Sequence, residues 1–304
     1  MLSTPHPEQA APERRSGYAR DLEGRIAVVL GGGSIGPGWG IGKAVSLLFA
    51  QAGATVVVAD RDLSSAQETC RLIAQESDIR EGGTRKGDAR QAATPAEAIA
   101  LDVTDDAALA GTLDAVIARH GRIDVLYFNV GIGKAGPSGE TSPADWRRIC
   151  DANLTALHLA AATVLPAMRA QGRGVILATS SIAGLRDVGY PHLAYGTTKA
   201  AVIQYLRLLA VENAPYGIRA NTIIPGLIDT PRIEKTVAGA YGAADLDRMK
   251  ALRAGQCPLG RMGTAFDVAE AALFLASDRA AYITGTELLV DGGLAATTRQ
   301  PLAD

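Results

Sequence analysis

The 304-residue chain is poor in the residues that mark several large function classes. Its three cysteines, Cys70, Cys150 and Cys257, are far apart and odd in number, with no C-x-x-C pair and no histidine at ligand spacing. That argues against a disulfide framework and against any metal site, and unpaired thiols fit a reducing cytoplasm. The formal net charge is only −2, which supplies no basic face for nucleic acid or for an anionic membrane. No uninterrupted apolar run approaches the roughly 20 residues of a membrane span. Residues 1–20 are polar and proline-containing, lack the apolar centre of a signal peptide, and read as a disordered tail.

Glycine and short apolar runs are what the chain does have. IAVVL (26–30), TVVVA (55–59), AIAL (98–101), DVLYF (124–128), GVILAT (174–179), RANTII (219–224) and ELLV (287–290) are apolar on both faces and are separated by helical patterns. Runs of that kind predict a central parallel sheet of about seven strands covered on both sides, a doubly wound α/β domain whose ligands bind at the carboxyl ends of the strands. No linker or composition break divides the chain after residue 22, so a single domain is expected.

The stretch GGGSIGPGWGIGK, from Gly31 to Lys43, holds seven glycines in thirteen residues and offers several phosphate-binding registers. Ile41, Ala44, Val45, Leu48, Phe49 and Ala52 form a stripe with helical spacing, and Pro37 is not tolerated inside a helix. The helix therefore starts near Gly40. Its free N–H groups make an anion site, Gly40 and Gly42 allow close approach beside Ile41, Gly31 and Gly32 turn the chain off the first strand, and residues 35–39 are extra loop. A P-loop would need glycine at Pro37 and Ser or Thr at Ala44, so it fails at both. Asp60 ends the second strand, where a carboxylate accepts from ribose hydroxyls and repels a 2′-phosphate, favouring NAD. Arg61 beside it is the counterweight, able to pair with the 2′-phosphate of NADP; the alternative for Asp60 is a turn-opening role.

Tyr195 and Lys199, in YGTTK at the head of a helical pattern, share a helix face at i and i+4. A phenol titrates near 10 and must come down by about 3 on the pH scale to act as a base near neutrality, and a neighbouring ammonium supplies much of that. Ser180 and Ser181 follow the strand GVILAT and so stand at the ligand edge of the sheet.

With these residues in place the chain resembles the short-chain dehydrogenase/reductase superfamily from about Leu22 to Gly293. The likeness is carried by LEGRIAVVLGGGS with GIGKA, ALDVTDD, FNVGI, Asn153, TSSIAG, YGTTK, IIPGLIDTP and YITGTELLVDGG. It implies a Rossmann domain over 21–304, with Tyr195 as acid/base, Lys199 lowering its pKa and binding the nicotinamide ribose, Ser181 holding the substrate oxygen and Asn153 positioning a relay water. Ser181 is preferred to Ser180 because SIAG matches the family's S-x-x-G. Asp102 and Val103 would meet the adenine, Asn129 and Gly131 the centre of the cofactor, and Pro225, Gly226, Ile228 and Thr230 its nicotinamide end. Leu30 in place of the family's threonine, the extra glycine-loop residues, and Phe128 and Val130 within FNVG are departures from the pattern.

The function expected is NAD-dependent hydride transfer between a secondary alcohol and its ketone, with an NADP-dependent ketoreductase or a non-catalytic dinucleotide-binding module as alternatives. Residues 227–263 are expected to form a substrate lid, and Tyr190 and His192 lie near enough to Tyr195 to line the pocket, His192 otherwise serving as a turn residue. Residues 77–95, rich in glycine and charge, are expected to be a solvated loop. Trp39 and Trp146 are expected to pack. The stretch 153–168 is apolar around most of a helix, which points to a homodimer or homotetramer.

Overall fold

The computed structural model describes residues 20–80, 96–189, 191–233 and 246–298. Seven strands form one all-parallel sheet: β1 (Ile26–Leu30), β2 (Thr55–Asp60), β3 (Ala96–Ala100), β4 (Val125–Phe128), β5 (Gly174–Thr179), β6 (Ile218–Pro225) and β9 (Glu287–Val290), in the order β3-β2-β1-β4-β5-β6-β9. Each run expected from the sequence is present, with ends moved by a residue or two. A further pair, β7 (Ile228–Asp229) with β8 (Gly263–Thr264), is too short for a period-2 pattern to reveal.

Alternation along the strands divides the interior into two layers. Ala27 and Val29 of β1 join Val56, Val58, Tyr127 and Leu177 against α1 (Ile41–Gln51) and α7 (Ala265–Ala276). Ile26, Val28 and Leu30 face the other way and join Leu126, Phe128 and Ile176 against α3 (Asp106–His120), α5 (Ala156–Gln171) and α6 (Leu193–Asn213). Neither face of the central strands meets water, so strict alternation of polar residues is absent and the runs read as continuously apolar.

Two expectations are corrected. Helix α2 (Leu63–Arg80) continues through 77–80, so the start of the supposed loop is helical, while 81–95 lie outside the described residues. The tail at 1–19, Tyr190 and the 234–245 part of the supposed lid also lie outside them. Helix α4 (Pro143–Cys150), a π-helical turn (Asp151–Thr155) and α5 run on as one 29-residue helix, which among the described residues is long and apolar enough to span a membrane. Half of its most apolar window is buried inside the domain, as in a core helix, with Leu157, Ala161, Val164 and Met168 packed into the second layer. Scattered charges break the apolar run in the sequence but leave the average hydropathy high.

The order of the sheet places the site. Successive strands run outward from β1 in one direction through β2 to β3 and in the other through β4, β5 and β6, so the crevice opens where β1 and β4 lie side by side.

Candidate active site

Gly31 leaves β1 with φ +79°, and its N–H and that of Gly32 both donate to the Ala59 carbonyl of β2, at 2.8 and 3.1 Å. Helix α1 begins after Gly40, which offers no side-chain cap, so the first N–H groups have no partner from a cap side chain. A Cβ on Gly42 would lie 1.9 Å from the Gly31 carbonyl oxygen and 2.8 Å from Asn129 Nδ2. Gly42 therefore lets the helix dock on the turn, whatever binds there. The Lys43 ammonium lies 5.3 Å from the Trp39 ring centroid and 4.0 Å from Glu68, and burial lowers its pKa. A helix N-terminus with a nearby cation and no side chains on the turn fits a pyrophosphate.

The extra residues of the glycine loop are anchored at both ends. Gly33 N–H donates to Asp60 Oδ2 at 3.0 Å, and Ser34 N–H donates to Ser65 Oγ at 2.6 Å. Trp39 packs against Phe266 with ring centroids 4.8 Å apart, and a Cβ on Gly38 would meet Pro231 at 3.4 Å. The insertion thus runs alongside the segment after β6. Trp146, by contrast, is partly exposed rather than packed.

Asp60 takes the turn-opening role weighed for it and adds a structural one that the sequence did not suggest: its Oδ1 accepts from Asp62 N–H, opening the turn, while Oδ2 accepts from Gly33 N–H and ties down the glycine loop. Asp102, at the end of the neighbouring strand, accepts from the backbone and hydroxyl of Thr104, which with the nearby charge of Arg61 holds its carboxyl below the usual range. Val103 and Ile228 point into the two core layers, so any cofactor contact there is left to main chain. Pro225 ends β6, Gly226 packs against Asp291, and Thr230 lies just beyond β7.

Asn129 bridges the crevice. Its Nδ2 donates to Gly31 O at 3.0 Å, and its Oδ1 accepts from the Thr179 hydroxyl, which also bonds Tyr127. Two residues on, a Cβ on Gly131 would come within 2.8 Å of Lys199 Nζ, so glycine there makes room for the ammonium.

Lys199 is 2% exposed, and its ammonium donates to the carbonyls of Thr179 (2.8 Å) and Val130 (3.2 Å). Burial, followed by the charge of Arg232, lowers its pKa to about 7. Its Nζ lies 5.8 Å from the centroid of the Tyr195 ring. The i, i+4 spacing on α6 therefore does what the sequence suggested, bringing amine and phenol together. His192 precedes α6 and sets its ring edge-on to Tyr195 at 5.4 Å, so it marks the turn into the helix and packs beside the Tyr195 ring.

The two serines differ in where their hydroxyls go. Ser180 is buried and donates to the Lys199 carbonyl at 2.7 Å, fixing α6 to the end of β5. Ser181 is half-buried and its Oγ accepts only from Ala183 N–H, at 3.2 Å, among the hydrogen bonds of the described residues. Asn153 is buried in the π-helical turn, with Oδ1 accepting from Ile132 N–H and Nδ2 donating to Ile132 O and to Thr198 Oγ1. Its side chain thus holds the loop after β4 against α6, and a relay water would have to be held by main chain freed in the π-turn.

One residue of the site has no place in any of the motifs. Arg232 lies two positions past Thr230, with its guanidinium carbon 5.4 Å from the Tyr195 ring centroid and Nη1 donating to Gly131 O at 2.6 Å. No periodicity or spacing marks it, because the contact depends on how the segment after β6 folds back.

A family model described as enoyl-(acyl carrier protein) reductase matches residues 36–295. Cis-4-hydroxycyclohexanecarboxylate dehydrogenase of Sinomonas cyclohexanicum is 37% identical over 274 residues, covering 90% of this chain and 97% of that protein. The 3-oxoacyl-(acyl-carrier-protein) reductase of Thermotoga maritima is 35% identical over 90% of this chain and 98% of its own. The crystal structure of a short-chain dehydrogenase/reductase from Burkholderia xenovorans superposes with a TM-score of 0.83 at 37% identity, covering 92% of this chain and all of that one. The chain belongs to the short-chain dehydrogenase/reductase superfamily.

It is accordingly an oxidoreductase acting on CH–OH groups and their carbonyls, with an NAD(P) dinucleotide as the family's cofactor. The described residues fit that group. The turn lacks side chains at Gly31, Gly32 and Gly33, the start of α1 has no side-chain cap, and Lys199 is buried at the crevice.

Proposed function

We propose that this enzyme oxidises a secondary alcohol with NAD. The bound nicotinamide supplies the hydride acceptor, or the donor in the reverse direction. Tyr195 takes the hydroxyl proton, and the ammonium of Lys199 stabilises the phenolate that forms. Ser181 holds the alcohol oxygen, while Asn153 keeps Ile132 and the π-turn in place for a water that returns the proton to solvent.

The observation that carries the cofactor preference is Asp60, a carboxylate at the end of β2 held against the glycine turn by Gly33 N–H. A 2′-phosphate there would face that carboxylate, with Asp102 two residues past the end of β3. Named relatives acting on cyclopentanol and on a 3β-hydroxysteroid, at 34% and 33% identity, support an alcohol substrate. A second reading, NADP-linked ketone reduction, is supported by Arg61 beside Asp60 and by the reductase relative. Fluorescence titration with NADH and NADPH tests the first reading: tighter NADH binding is expected, and tighter NADPH binding moves the ribose contact to Arg61 and favours reduction.

We also propose a homodimer or homotetramer in the cytoplasm. Support comes from Leu208 and Val211 on the outer face of α6, 62% and 76% exposed, beside the His158–Tyr205 contact joining α5 to α6. A monomer at micromolar concentration in sedimentation would refute the assembly.

A further inference from the structure

The turn that carries Ser181 is closed by its own main chain. Ser181 Oγ accepts from Ala183 N–H, Gly184 N–H donates to the Ser181 carbonyl, and the N–H groups of Leu185 and Arg186 both donate to the Ile182 carbonyl. The Arg186 side chain then leaves the turn. Its Nη1 donates to the carbonyls of Leu294 (2.8 Å) and Thr297 (2.9 Å), 108 and 111 residues away in the chain. One guanidinium nitrogen thus grips the short 3-10 turn Leu294–Ala296 at its start and just past its end.

That second turn is built into a small apolar cluster distinct from the two layers on the sheet, in which Leu294 packs against Leu227, Ile233, Met249, Cys257 and Met262. Asp291 fixes it from behind, its two oxygens accepting from Gly293 and Ala295 N–H. Leu227 and Ile233 bracket the segment whose Arg232 lies 5.4 Å from the Tyr195 ring centroid. In the proposed reaction the carbinol sits between Ser181 and Tyr195, and Arg186 ties the turn under the first to the cluster behind the segment beside the second. Arginine suits this link because its donors are charged and fixed in one plane. Arg186 is exposed, so water competes and its two bonds fall at the low end of the usual range. Together they are worth about fivefold to tenfold in an equilibrium, enough to alter a spacing at a binding site and small beside the stability of a whole domain.

We propose that Arg186 is a positioning residue for the alcohol: by holding Leu294 and Thr297 to the Ser181 turn, it sets the gap between Ser181 and the segment beside Tyr195. Without it that gap widens and the alcohol is held loosely. The proposal rests on the alcohol-oxidoreductase reading of Ser181 and Tyr195.

The test measures kcat and KM for cyclopentanol, cis-4-hydroxycyclohexanecarboxylate and a 3β-hydroxysteroid, with NAD and with NADP, and the dissociation constants of NADH and NADPH by fluorescence. The proteins compared are the wild type, Arg186→Met, Arg186→Lys, Leu294→Ala and the double variant Arg186→Met/Leu294→Ala. Arg186→Met is expected to raise KM for the alcohol about fivefold to tenfold, with kcat and dinucleotide affinity near wild type, because neither carbonyl it holds belongs to the glycine turn. Arg186→Lys, whose ammonium also donates, is expected to recover part of that loss. Leu294→Ala breaks the same link at its other end and is expected to raise KM by a similar factor. The double variant is expected to be no worse than the worse single one, because a broken link cannot be broken again, whereas independent packing losses multiply. Should Arg186→Met not fold, Arg186→Lys and Leu294→Ala still separate KM from kcat. An unchanged KM, multiplying effects in the double variant, or a parallel loss of kcat and dinucleotide affinity overturns the positioning role and leaves the alcohol reading intact. Absence of Tyr195-dependent turnover of all three alcohols, with either dinucleotide, overturns that reading and the proposal together.

Discussion

Removing the amine of Lys199 should abolish activity and stabilise the cofactor-free fold, and the gain should depend on pH in a calculable way. An ordinary lysine titrates at 10.5, whereas burial and Arg232 hold Lys199 at about 7 in the folded chain. Between those values the unfolded chain binds a proton that the folded chain does not, so stability rises with pH across the window. The penalty is fully present below pH 7 and is relieved as pH climbs toward 10.5, the reverse of a lysine that gains a partner on folding. A gap of about 3.5 on the pH scale is worth up to about 5 kcal/mol at 1.36 kcal/mol for each step of one. Between about pH 6.5 and 9.5 some 2–3 kcal/mol of it should appear.

In Lys199→Met the penalty is gone, although the Thr179 and Val130 carbonyls each lose a donor worth about 1 kcal/mol. The variant should therefore melt above wild type near pH 6.5. As pH rises to 9.5, wild type should gain on it by about 4–6 °C, taking about 2 °C per kcal/mol for a chain of this size. Melting both proteins without dinucleotide at half-unit pH steps measures the difference, in which tyrosines and cysteines common to both cancel. A difference that stays flat across the window would falsify the claim that the amine is desolvated. A positive result would mean that the fold tolerates an unfavourable buried amine because the phenolate formed on Tyr195 needs it.

Three further outcomes are expected. Tyr195→Phe should still bind dinucleotide with near-normal affinity but lose turnover by about 10³-fold or more, and retained turnover would mean that another group moves the proton. Gly42→Ala should destabilise the protein by about 2–3 kcal/mol and weaken dinucleotide binding, because the new methyl would meet the Gly31 carbonyl; a urea titration alongside NADH binding separates the two effects. Asp124 is fully buried and, although burial pushes its pKa up, Arg122, Ile26 N–H and Arg173 together hold it below the usual carboxylate range. Its contribution is thus present above the pKa of the unfolded carboxylate and lost as pH falls through the lowered folded value, so Asp124→Asn should cost about 3 kcal/mol at pH 7 in denaturant unfolding and progressively less as the solution is acidified through that value.

The parts of this protein that sequence determined are those written in short-range chemistry. Strands buried on both faces show as runs of Val, Ile and Leu, the start of α1 follows from the stripe at Ile41 and the exclusion of Pro37, and the pairing of Tyr195 with Lys199 follows from the helical repeat. Each depends on neighbours within a turn or two of the chain. Tertiary structure decided what depends on distant partners. Ser180 and Ser181 are indistinguishable by type, and only the Lys199 carbonyl, nineteen residues away, separates a structural hydroxyl from an available one. Gly42 reads as cofactor space but is also demanded by the Gly31 carbonyl, and Ile228 reads as a cofactor contact although its side chain fills the core. Arg232 reaches Gly131 across 101 residues through a fold-back that no local pattern encodes. Local propensity chooses the elements, and the approach of one element to another, set by packing over the whole sheet, chooses which side chains share a charge, a proton or a ligand.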